Sequence, residues 1–115
     1  MRALEVARLD ERVAATNGGA PLVACFVRKK DEPSQALLQA IDSAAAEIGG
    51  LDVVQIDIDA DPARMDALRV FKVPELIVWA GGAVVERTEG GLDAAGARDL
   101  LAHALDDAAR ARAAD

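Results

Sequence analysis

Few side chains in this sequence could do covalent chemistry, and they do not stand together. There is one cysteine, Cys25, and one histidine, His103. A single cysteine excludes an internal disulfide, a Cys-based zinc site and a CxxC redox pair. Cys25 lies in the apolar run Leu22-Val23-Ala24-Cys25-Phe26-Val27. Burial there raises a thiol pKa and blunts its reactivity, and no second cysteine could resolve an oxidised sulfur. His103 falls on the far side of a helical pattern from Leu101, with no obvious acid or nucleophile partner. No catalytic triad can be assembled, and no catalytic residue is expected. The run Asp57-x-Asp59-x-Asp61 has the opening spacing of a calcium loop. It continues into Pro62, lacks the loop glycine and places Leu68 where a bidentate Glu is needed, so the acids read as strand-end and helix-capping groups. Neither a metal nor a cofactor is expected.

Two segments remain as candidate binding elements. Arg28-Lys29-Lys30-Asp31-Glu32-Pro33 is a charged loop running into a helix start, and Val73-Pro74 precedes a strand. The chain around them is acidic: 13 basic against 20 acidic residues, net −7. That balance argues against nucleic-acid and anionic-membrane partners, which need a basic face. Only 3% of residues are aromatic, too few for a base-stacking platform. No apolar run reaches the roughly 18–20 residues that span a bilayer, and residues 1–10 show no leader pattern. A cytoplasmic protein is expected, and the Ala/Arg/Asp bias suggests a GC-rich bacterial source.

Glycine pairs at 18–19, 49–50, 81–82 and 90–91 divide the 115 residues. Ala3–Val6 reads as a short edge strand. Residues 9–16 read as a helix with Asp10 as a candidate N-cap. Residues 21–27 and 51–58 are short apolar runs of strand length. Residues 33–48 carry Leu37, Ile41 and Ile48 on one helical stripe, opened by Pro33 and closed by Gly49-Gly50. Asp61-Pro62 opens a short helix to about Val70. Residues 75–80 and 83–88 form a hairpin across Gly81-Gly82. Residues 93–109 form the last helix, capped by Asp93, with Leu100, Leu101 and Leu105 inward. Residues 110–115 are expected as a frayed helical tail to a single domain over 1–109. The order is (β)αβαβαββα, an α/β three-layer arrangement with helices on both faces of a mixed sheet.

That order and several segments resemble the thioredoxin family. Gln55-Ile56-Asp57-Ile58-Asp59-Ala60-Asp61-Pro62 is similar to its strand ending in D-x-(D/N)-P. Val70-Phe71-Lys72-Val73-Pro74 followed by Leu76-Ile77-Val78-Trp79 is similar to its V-x-x-(V/I/T)-P-T-(L/F) segment. Gly82 and Glu89-Gly90-Gly91-Leu92 match its hairpin glycine and its entry to the last helix. The resemblance covers about residues 17–105 and implies the thioredoxin fold, with a cis bond at Val73-Pro74. It does not bring the chemistry. On an ungapped match the family's two cysteines fall at Lys30 and Pro33, its buried acid at Ala24 and the lysine paired with it at Gln55. Disulfide exchange needs an attacking thiolate and a resolving thiol, and neither is there.

The resemblance thus points to a redox-inactive domain that binds a protein or peptide non-covalently, as a chaperone-like, scaffold or assembly factor. The groove would be bounded by Lys30, Asp31, Glu32, Pro33, Val73, Pro74, Gly90 and Gly91. Redox-inactive bacterial relatives include accessory proteins of hydrogenase maturation, which the Val70–Pro74 and Gly-Gly segments resemble faintly. Two alternatives stand beside it. One is a thiol-redox or glutathione-linked activity through Cys25. The other is an oligomerising module using the hairpin edge or the Ala-rich last helix. A monomer or weak homo-oligomer is expected.

Overall fold

The computed structural model describes residues 1–113. Its elements in chain order are β1 (Arg2–Ala3), a 3-10 turn (Val6–Arg8), α1 (Leu9–Ala14), β2 (Leu22–Val27), α2 (Glu32–Ile48), β3 (Asp52–Asp57), α3 (Pro62–Leu68), β4 (Glu75–Ala80), β5 (Ala83–Glu89) and α4 (Ala94–Ala113). They form one five-stranded sheet in the order β1-β3-β2-β4-β5. β1, β3 and β2 run parallel, and β4 and β5 are antiparallel to their neighbours.

The burial of each strand follows from its place. β2 and β4 are central and covered on both faces, so every residue in both is buried. This is why they read as continuous apolar runs rather than alternating ones. On one face α2 and α4 pack side by side. Leu37, Ile41, Ala44, Ala97, Leu101 and Ala104 join Val23, Cys25, Leu76 and Val78 of the sheet in one cluster. On the other face, Leu9 of α1 and Met65 of α3 cover Leu22, Ala24, Phe26, Ile77 and Trp79. The three-layer α/β thioredoxin arrangement expected from the sequence is the one observed.

Several boundaries differ from the sequence reading. The edge strand is Arg2–Ala3 rather than Ala3–Val6: Arg2 and Ala3 pair in register with Val54 and Gln55 of β3, and the chain leaves β3 after the Leu4 N–H donates to the Gln55 carbonyl. Val6 instead turns into the core through the 3-10 turn. Asp10 is not an N-cap. α1 begins at Leu9, its cap position is Arg8 with no side-chain bond, and Asp10 sits in the first turn paired with Arg64. α3 stops at Leu68, closed by Arg69 in the left-handed region at φ 58°. Asp61 and Asp93 do cap: their carboxylates accept from the backbone N–H of Arg64 at 3.1 Å and Gly96 at 2.7 Å. α4 continues as regular helix through Ala113, while Ala114 and Asp115 lie outside the described residues. The β4–β5 turn requires glycine, since Gly81 and Gly82 have φ of 60° and 81°.

Candidate functional site

The charged loop after β2 is closed by the start of α2. Asp31 has extended backbone and is the N-cap. Its Oδ2 accepts from the backbone N–H of Ser34 at 3.0 Å and from the Ser34 hydroxyl at 2.7 Å. Ser34 is fully buried, and its Oγ accepts from the Arg28 N–H at 3.3 Å. Gln35 Nε2 donates to the Lys29 carbonyl at 3.0 Å. These polar bonds fold the loop back on the first turn of α2. Arg28 reaches across to Asp59, with Nε 3.1 Å from Oδ2. Lys30, Glu32 and Pro33 are exposed around this cap, and Asp31 is half-buried.

The second wall comes from the segment before β4. Val73-Pro74 is cis. The Pro74 carbonyl accepts from the Gly90 N–H at 2.8 Å, which joins two of the sequence-predicted segments directly. Pro74 is buried, Val73 and Gly90 are half-buried, and Gly91 is exposed. The two walls are neighbours because Phe26, near the end of β2, is the register partner of Glu75, the first residue of β4. Loops 28–31 and 69–74 thus leave the same end of the sheet. Among the described residues, Phe71, Lys72 and Val73 make no backbone hydrogen bond.

Cys25 is in the middle of β2 and 0% exposed, against the layer of α2 and α4. Burial, and secondarily the charge of Asp42, push its thiol up to about 12. A thiol held neutral this firmly is a poor nucleophile. The acids of the 57–61 run each have a local task. Asp57 Oδ1 accepts from the Asp59 N–H at 2.9 Å, Asp59 pairs with Arg28, and Asp61 caps α3. Among the described residues no three His, Cys, Asp or Glu side chains stand together as metal ligands. His103 is exposed on α4. A cavity of about 580 Å³ lies beside the loop on the β1 side, reaching Leu4, Lys29, Gln35, Gln55 and Asp57.

The pairs in contact lie one residue from those of the ungapped family match. In β2 the register partner of Gln55 is Cys25, not Ala24. At the head of α2, the i, i+3 pair in hydrogen-bond contact is Asp31 and Ser34, not Lys30 and Pro33. Pro33 then stands between them, as the proline does in a Cys-Gly-Pro-Cys loop.

Three residues of this end escaped the sequence reading. Ser34 was legible in principle as the fourth position of an Asp-x-x-Ser cap. Phe71 is 68% exposed beside Val73-Pro74, and an aromatic in a loop carries no signal of its exposure. Glu75 is a buried acid on β4, paired with Arg87 of β5.

No family model matches the sequence. Over 58 residues the chain is 33% identical to thioredoxin of Chlamydia muridarum and 31% to that of Chlamydia trachomatis, covering 50% of this chain and 57% of theirs. It thus spans just over half the length of these curated relatives. Among solved structures, a mutant thioredoxin from Halobacterium salinarum has a TM-score of 0.73 and 28% identity over 89% of each chain. Thioredoxin from Fasciola hepatica has a TM-score of 0.74 and 20% identity over 93% of this chain and 99% of that one. The fold is the thioredoxin fold. The chain is a thioredoxin-like domain that carries a single, buried cysteine and no CxxC pair.

Proposed function

We propose that the chain is a redox-inactive thioredoxin-like domain of a bacterial, cytoplasmic protein, acting by non-covalent binding of a protein or peptide as a chaperone-like, scaffold or assembly factor. The observation that carries this is the pair at the head of α2. Where dithiol chemistry needs two sulfurs at i and i+3, Asp31 and Ser34 are hydrogen-bonded to each other. The one thiol that could substitute is fully buried. The binding half of such a site has support of its own. The backbone of Phe71–Val73 has no partner among the described residues, and unpaired backbone next to a sheet can accept an added strand. Phe71 offers an exposed ring alongside it.

The test has two arms. Dithiothreitol-driven reduction of insulin should run at its uncatalysed rate in the presence of the protein; a clear acceleration overturns the reading. A display library of extended peptides should yield binders that shift amide resonances of residues 28–34, 71–75 and 89–91. Phe71→Ala should weaken them about tenfold, or about 1.4 kcal/mol. Binders that map elsewhere, or none at all, overturn it as well.

A further inference from the structure

We infer that the cavity at the carboxyl ends of β1, β3 and β2 binds a small zwitterion with an aliphatic body, a free α-amino acid or a dipeptide. Its lining does not include Phe71–Pro74, so it stands apart from the peptide-binding reading above. Its volume of about 580 Å³ lies within the range of about 300–1,000 Å³ usual for small-molecule sites. Its place in the topology is where open α/β sheets hold ligands. β2 leads into α2 on one face of the sheet, and β3 leads into α3 on the other. Neighbouring parallel strands whose connections part in this way leave a crevice beyond their carboxyl ends. Val27 and Lys29 border it from the β2 side and Asp57 from β3.

The backbone beside this crevice is left open. The Leu4 N–H donates to the Gln55 carbonyl at 2.9 Å, and the Ile58 N–H donates to the Val27 carbonyl at 3.1 Å. Successive residues here thus face β1 and β2 in turn, and Asp57 faces β1. A continuing ladder would join the Asp57 N–H to the Leu4 carbonyl. The chain instead leaves β3 at Glu5 for the 3-10 turn. Among the described residues neither group then has a hydrogen-bond partner. A bare donor and a bare acceptor therefore belong to two residues that line one cavity.

The charges select the ligand. Three charged side chains line the cavity, Glu5, Lys29 and Asp57. Asp57 keeps its charge while accepting from the Asp59 N–H. Among the described residues none of the three is in an ion pair. Nearby, Arg28 is matched by Asp59, Arg8 by Glu11 and Arg12 by Asp52. Arg2 and Lys30 border neighbouring hollows rather than this one. One ammonium against two carboxylates disfavours a plain anion. A plain cation would leave Lys29 and the Asp57 N–H without an acceptor. A zwitterion meets both demands. Its carboxylate takes Lys29 and the Asp57 N–H, and its ammonium takes Glu5 and the Leu4 carbonyl. Buried Val6 and Val27 supply an aliphatic wall for its side chain.

Titrations followed by the amide resonances of isotope-labelled protein decide it. L-Leucine and L-leucyl-L-leucine should shift the Leu4 and Asp57 amides, with a Kd of about 1 mM or less. Tighter binding of the first assigns the site to free amino acids, and of the second to short peptides. Isocaproate lacks the ammonium and isoamylamine lacks the carboxylate. Each should bind at least about tenfold more weakly than leucine. Lys29→Met should weaken leucine and isocaproate but not isoamylamine. Glu5→Gln should weaken leucine and isoamylamine but not isocaproate. Ala60→Phe, which fills the cavity from an exposed turn, should abolish leucine binding with the thermal midpoint unchanged. Binding of isocaproate or isoamylamine as tight as that of leucine overturns the zwitterion assignment. No shift at Leu4 and Asp57 with any probe at about 10 mM overturns the site. Shifts confined to residues 71–75 and 89–91 overturn it too, and leave the peptide-binding reading standing.

Discussion

Arg87 Nη2 stands 2.5 Å from Oε2 of Glu75, whose side chain is 1% exposed. The same nitrogen donates to the Arg69 carbonyl at 2.6 Å. One guanidinium thus ties the buried start of β4 to the left-handed residue that ends α3, and so holds both ends of the segment carrying Phe71 and Lys72. Burial raises the Glu75 carboxyl above its ordinary range, against the lowering effect of Arg87, and Glu89 adds to the rise. A carboxyl raised on folding binds its proton more tightly in the native state, so its contribution is greatest below the unfolded pKa and is lost as pH rises through the folded one. The stability of wild type relative to Glu75→Gln, measured by urea unfolding, should therefore fall as pH is raised from about 4 towards neutrality. An opposite slope contradicts the assignment. At neutral pH Arg87→Ala should cost about 3 kcal/mol, because it strands a buried charge, and should cost more than Glu75→Gln.

Cys25 should be silent in the native protein. Ellman's reagent is expected to leave it unmodified until denaturant is added, since the thiol is fully covered and pushed up to about 12. The same shift has a linkage consequence of the same sign as that of Glu75. The unfolded thiol ionises near its ordinary value of 9.0 while the folded one stays neutral. Stability should then decline as pH rises above that value, and the part of the decline owed to the thiol should be missing in Cys25→Ala. Rapid labelling of the folded protein contradicts this and revives a redox role for Cys25.

Thr16 links the end of α1 to a turn far along the chain. Its hydroxyl donates to the Val13 carbonyl at 2.6 Å and accepts from the Gly82 N–H at 2.8 Å, and its own carbonyl accepts from the Gly81 N–H at 3.2 Å. Thr16→Val keeps the shape but leaves the Gly82 N–H without a partner. It should cost about 1–3 kcal/mol, and Thr16→Ser should restore most of it. Thermal unfolding checks both. Equal midpoints for the Val and Ser variants contradict the bond's importance.

What could be read from the sequence was whatever a few neighbouring residues decide. Asp61-Pro62 and Asp93 cap because a carboxylate three residues before a free N–H is a local arrangement. The central strands were legible because burial on both faces leaves a continuous apolar run. Asp10 has the right residue type for a cap, but the helix begins at the buried Leu9, with Arg8 at the cap position two residues earlier. Glu75 looks like any strand-opening acid, since the Arg87 that pairs with it arrives only through the hairpin. The one-residue slip has the same cause in β2 only. Within Arg28–Asp31 only Asp31 has a capping side chain, and it accepts from the Ser34 N–H, but the pairing of Cys25 with Gln55 is a matter of strand register.

That slip gives a decisive engineering experiment. The Asp31 carboxylate occupies the N-cap, where the helix dipole and the Ser34 N–H favour negative charge. A thiolate placed there would be stabilised in the same way, and a thiol at position 34 would lie one helical turn on, facing it. Asp31→Cys combined with Ser34→Cys should therefore form a disulfide on oxidation and accelerate dithiothreitol-driven insulin reduction. Pro33 is retained between the two positions. Lys30→Cys combined with Pro33→Cys should do neither, because Lys30 lies in the turn before the cap and the substitution removes the first-turn proline of α2. Activity from the 30/33 pair and none from the 31/34 pair would restore the ungapped match and contradict the register seen here. Loss of the Asp31 cap alone, in Asp31→Ala, should cost about 1 kcal/mol, so failure of the double variant to fold is not expected.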